Sequence, residues 1–146
     1  MSKKGINKLV EFVNVLNDGV TFYHQAIKHI SNQDQVKLFE KNLRIRGDLI
    51  KELKPYIVTQ TGGQDAGHSI KGNLNLKYTQ ILTMLRDTDS TWISKLEDIE
   101  DRTLEELTEL MHDDDVIPIV RDILKVNHRK IRKCHDEMMR MEIATS

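Results

Sequence analysis

A chain of 146 residues has room for one domain, residues 1–146, and 22 Lys and Arg against 23 Asp and Glu leave no net field for nucleic acid or an acidic substrate. A charged fraction of 31% with only 5% aromatic residues suits a helical bundle with solvated outer faces, and two prolines and seven glycines exclude a long disordered tail. The one cysteine, Cys134, excludes an internal disulfide framework and makes a reducing compartment the simplest expectation.

The N-terminal Met1-Ser2-Lys3-Lys4-Gly5 is basic but leads into an amphipathic pattern instead of an apolar signal region. No apolar run reaches the ~20 residues of a membrane span. The expectation is a soluble, cytoplasmic protein that does not enter membranes.

Leu9, Val13, Leu16, Val20, Tyr23, Ile27 and Ile30 recur at steps of three and four and predict a first helix from about Ile6 to His29. Ser31-Asn32-Gln33-Asp34 supplies turn and capping groups, so a second helix follows as an antiparallel neighbour. That helix opens at Val36 and is expected to end at Lys54 or a turn beyond, because Pro55 lacks an amide donor. Thr59 to Gly67 reads as a loop.

Ile70, Leu74, Tyr78, Ile81 and Leu85 then predict a helix over residues 68–86. Its rise of roughly 27 Å at 1.5 Å per residue is enough to carry the chain back along a bundle. Asp87 to Ser90 caps the next helix, Thr91 to about His112, and Asp113-Asp114-Asp115 with Pro118 opens the last. The fold class is all-α: four long helices with an additional crossover helix between the second and third, a ferritin-like connection.

The apolar stripes are interrupted near their centres. On the second helix Val36, Phe39, Leu43, Arg46, Ile50 and Leu53 share one face, and on the next long helix Ile93, Leu96, Glu100, Thr103, Leu107 and Met111 do so. Arg cannot shed its charge, so a buried Arg46 needs a matched partner, and a carboxylate is the best one. Arg46 and Glu100 are therefore expected to meet in the core and fix helix register, with Tyr23, Asn127 or His128 nearby.

Three segments resemble a known family. Leu16 to Tyr23 (LNDGVTFY), Leu96 to Asp101 (LEDIED) and Ile131 to Asp136 (IRKCHD) are similar to the bacterial ferritin-like four-helix-bundle proteins grouped as a domain of unknown function. The resemblance spans residues 6–140 and includes Asn75-Leu76-Lys77. It implies a ferritin-like fold related to diiron proteins and supplies no established activity; a stress-associated role is what the family's company implies.

Diiron chemistry in that superfamily needs carboxylates from two helices and Glu-x-x-His from the other two. Here Thr21 stands near the place of a wanted glutamate, with Asp18 the nearest acid, and the second helix has no histidine. His128 and His135 follow Lys125 and Arg132 by three residues, and Arg46 places a fixed charge close to where two cations would sit. An intact diiron site is not expected.

Two functional alternatives stay open beside a non-enzymatic structural or stress-associated role without a cofactor. Glu100, His128 and His135 could hold one iron, manganese or zinc ion in a degenerate ferritin-like redox or metal-binding protein, since imidazole and carboxylate suit these metals. His68 and Lys71 fall in an H-x-x-K-G sequence similar to histidine phosphotransfer domains, where a phosphorylated imidazole is flanked by a charge-neutralising lysine. No phosphate-binding loop, G-x-S-x-G or C-x-x-C pattern is present.

Cys134 is expected to be a buried, inert thiol. The basic run Lys125, Arg129, Lys130, Arg132, Lys133 is expected to be a solvated face, and Met138, Met139 and Met141 to pack the core and its end. An unidentified protein partner or a second copy of the chain is compatible with this reading; nucleic acid is not.

Overall fold

The computed structural model describes residues 1–61 and 89–145. Among these residues four helices account for the regular structure: α1 (Lys3–His29), α2 (Gln33–Thr61), α3 (Asp89–Met111) and α4 (Pro118–Thr145). Each helix carries the apolar stripe that its sequence period dictates, and none among the described residues is long and apolar enough to cross a membrane. The crossover helix expected over 68–86 lies outside the described residues, as do His68 and Lys71.

Capping chemistry sets the boundaries. Ser2 is extended and its hydroxyl accepts a hydrogen bond from the Gly5 amide at 3.0 Å, which starts α1 three residues before the expected Ile6. The carboxamide oxygen of Asn32 accepts from the amides of Asp34 at 2.9 Å and Gln35 at 3.1 Å, the N-cap anticipated between the first two helices.

α2 overruns its expected end. Pro55 stands inside the helix, which continues to Thr61, so residues 59–61, expected to open a loop, are helical, and the rest of that expected loop lies outside the described residues. Pro55 and Lys51 lie on the exposed face, where water can serve the carbonyl that proline leaves without an amide donor. The Thr59 hydroxyl donates to the Pro55 carbonyl at 2.7 Å. α3 likewise begins at Asp89, within the segment expected to cap it.

Short connections make α1–α2 and α3–α4 hairpins, and α1 also packs on α3 and α2 on α4. The four helices thus form a ring in the order α1, α2, α4, α3, in which α2 and α3 face each other across the diagonal. At one end Ile6, Leu9, Leu53, Ile57, Leu107 and Val120 share a core. At the other Phe22, Ile30, Phe39, Trp92, Ile93 and Met138 share a second. These groupings make α2 and α3 run in the same direction.

The α3–α4 turn is tied to the start of α1. Lys8 Nζ donates to Asp113 Oδ2 at 2.5 Å and to Asp115 Oδ2 at 3.4 Å, while Asp113 Oδ1 accepts from the Asp115 amide at 2.8 Å. Gly5 lets α1 approach this turn: a Cβ there would stand 2.0 Å from the Asp115 carbonyl oxygen. The Asp113 carboxyl is held below its ordinary range, chiefly by the Lys8 hydrogen bond, and Lys8 is raised in return.

Candidate functional site

Between the two apolar cores lies a polar layer built from three helices. Arg46 of α2 and Glu100 of α3 are 1% and 2% exposed, so both charges are withdrawn from water. Arg46 donates to Glu100 Oε1 from Nε at 3.1 Å and from Nη2 at 2.9 Å. The expected contact therefore forms, across the diagonal of the ring.

Two further donors of the guanidinium are also placed. Nη2 donates to the Thr103 hydroxyl at 2.7 Å and Nη1 to the Leu16 carbonyl at 3.4 Å. Tyr23 of α1 donates its hydroxyl proton to Glu100 Oε1 at 2.6 Å, and Asn42 Nδ2 donates to the Tyr23 oxygen at 2.9 Å. Three donors thus converge on one carboxylate oxygen, and the Arg46 guanidinium carbon lies 5.7 Å from the centre of the Tyr23 ring.

Electrostatics hold the protons of Tyr23 and Arg46 in place. Burial pushes the Tyr23 phenol well above its usual value, and the adjacent Glu100 charge adds to that shift. Burial alone would lower Arg46, but the Glu100 charge and Tyr23 outweigh it and leave the guanidinium more firmly protonated. Glu100 is thus met by a neutral phenol and by a cation that cannot be discharged.

Gly19 makes room for the cation. A Cβ at this position would stand 2.4 Å from Arg46 Cζ and 2.4 Å from Nη1, inside any permitted contact. Sequence reasoning named Tyr23, Arg46 and Glu100 but passed over Gly19 and Asn42 and treated Thr103 only as part of a stripe. Two signals were present: a glycine in the middle of an amphipathic helix implies a close approach, and Asn42 lies one turn before Arg46 on the same face.

The other expected members of the cluster lie elsewhere. Asn127 is buried, yet its Nδ2 donates to the Ile123 carbonyl of its own helix at 2.9 Å. His128 is only partly covered; burial lowers it, helped by the Arg132 and His112 charges. Neither residue is hydrogen-bonded to Arg46, Glu100 or Tyr23.

Nor does the structure bring Glu100, His128 and His135 together as one ligand set. His135 Nε2 donates to Asp101 Oδ1 on the outer side of α3, the neighbour of Glu100 in sequence but about 100° away around the helix. Its Nδ1 lies 3.6 Å from Asp136 Oδ1. Glu97, Asp101 and His135 instead place three ligand atoms within 4.8 Å of one another.

Cys134 is buried beside the layer, and burial with the Glu100 charge pushes its thiol up to about 11, which keeps it protonated at neutral pH. Lys125, Arg129, Lys130, Arg132 and Lys133 are exposed. Met138 is fully buried, whereas Met139 is 40% exposed. A groove of about 300 Å³ between α1 and α3 is lined by Lys8, Glu11, Glu106, Glu109 and Asp113 among others. Burial raises Glu106 there, against the opposing charge of Arg102.

A family model described as a domain of unknown function (DUF2383) matches residues 4–113, which hold the α1–α2 hairpin and α3. No curated protein and no solved structure matches the chain.

Proposed function

The chain belongs to this family of domains of unknown function, and on that premise we propose that it is a ferritin-like bundle with a structural, non-enzymatic role, its centre closed to metal by Arg46. One observation carries the reading. At mid-bundle, where a diiron protein gathers carboxylates around two cations, this chain gathers three donors onto Glu100 Oε1, two of them from a permanent cation. A metal ion would have to displace Arg46 and strand its charge in a core where it is 1% exposed.

The parallel course of α2 and α3 supports the ferritin-like connection, because consecutive parallel helices need a link that returns along the bundle. The buried layer then serves register. An apolar core tolerates sliding of one helix by a turn, whereas a guanidinium seated against Gly19, Glu100 and Thr103 has one position.

Iron oxidation is the direct test. Ferrous iron mixed with the protein without oxygen and then exposed to air is expected to oxidise no faster than in buffer. Protein-dependent oxidation that disappears in Glu100→Gln would overturn the reading.

A further inference from the structure

We propose that Glu97, Asp101 and His135 form a site for one divalent transition-metal ion on the outer side of the α3–α4 pair, separate from the closed core. Glu97 and Asp101 are four residues apart on α3, which sets both carboxylates on one helix face, and α4 brings His135 against them. The three ligand atoms lie within 4.8 Å of one another. Around an ion with bonds of about 2.0 to 2.2 Å, neighbouring ligand atoms stand about 3 to 3.5 Å apart, so small side-chain rotations close the site.

Three further features favour a metal over a plain surface pair. Glu97 is half-buried, and among the described residues its carboxylate makes no hydrogen bond or ion pair. The His135 side chain is 13% exposed, which limits its rotamers and fixes Nε2 toward the two acids. Asp136 Oδ1 stands 3.6 Å from Nδ1, on the side where a ligating imidazole keeps its proton and needs a carboxylate to orient it.

On binding, the ion takes the Nε2 lone pair, and the single proton of the neutral ring sits on Nδ1, on the side of Asp136 Oδ1. Two carboxylate oxygens and one imidazole nitrogen suit zinc, manganese or ferrous iron, with water completing the coordination. Glu100 takes no part, because it is buried and held by Arg46, whereas Asp101, the next residue, is exposed on another side of α3. The site is therefore independent of the core reading above, and either can fail alone.

Isothermal titration of zinc chloride into the chelator-stripped full chain tests the site, with cobalt(II) absorption as a report of coordination. The expected result is one ion per chain, a visible cobalt band, and at least about a hundredfold weaker binding in His135→Ala and in Asp101→Asn. Asp113→Asn, at the far groove, is expected to bind as the parent does. No binding by the parent, or one-to-one binding that survives His135→Ala, would overturn the proposal; circular dichroism of each variant separates loss of the site from loss of fold.

Discussion

Gly19 and Arg46 are in a contact that only glycine permits, since a Cβ at Gly19 would lie 2.4 Å from the guanidinium carbon. Alanine in mid-helix is ordinarily better than glycine by roughly 0.5 to 1 kcal/mol. Here the sign reverses. The guanidinium is the end of a flexible side chain, but Glu100, Thr103 and Leu16 hold it, so it can move only by surrendering those bonds. Gly19→Ala is expected to lose about 2 to 4 kcal/mol. Gly47→Ala on α2, where a Cβ meets nothing within 4 Å, is expected to gain about 0.5 to 1 kcal/mol. Urea unfolding of both variants checks the pair, and a stabilised Gly19→Ala would contradict the packing described.

The buried phenol gives the protein an alkaline limit. Tyr23 has its folded pKa raised above the unfolded value near 10, so the folded state retains a proton that the unfolded state sheds. Its contribution is complete below pH ~10 and is lost as pH rises above it, by up to about 1.4 kcal/mol per pH unit. Lys8 is also raised and shares the direction, so the Tyr23 part is isolated by comparison with Tyr23→Phe. That variant is expected to be weaker at pH 7, having left Asn42 and Glu100 short of a partner, but to lose stability less steeply above pH ~10. Equal slopes would place Tyr23 in contact with water.

At acid pH the α1 start and the α3–α4 turn should part first. Asp113 is depressed by Lys8, so its contribution is present above the unfolded value of about 3.8 and is lost as pH falls below it. Asp113→Asn is expected to flatten acid unfolding below pH ~4 while costing little at pH 7, and added salt is expected to mimic it. An acid transition identical in variant and parent would show that this contact contributes nothing.

Much of the fold was legible because period and punctuation agree: stripes at steps of three and four, Asn32 between the first two helices, and Pro118 at the start of the last all reappear in place, whereas the aspartates before Pro118 lie outside the first turn of α4, where Asp113 and Asp115 meet Lys8 of α1. Pro55 misled the end of α2 because a local rule about one amide gives way when the bare carbonyl faces water. Arg46 and Glu100 were legible as a pair because a cation on an apolar stripe has few ways to be satisfied. His135 was misassigned to Glu100 because spacing along α4 does not say which side of α3 it faces; that depends on how the two helices are rotated about their axes. Gly19 shows the same limit, since its partner comes from another helix.

The central claim is that Arg46 and Glu100 act as one buried structural unit, and a double-mutant cycle of Arg46→Met and Glu100→Leu, read by urea unfolding, tests it most directly. Removing either partner strands a charge in a layer where both side chains are at most 2% exposed, so each single variant is expected to lose about 3 to 5 kcal/mol. The double variant is expected to be no less stable than the weaker single one, because the apolar pair leaves no orphaned ion. Single losses under about 1 kcal/mol, or losses that simply add in the double variant, would contradict it.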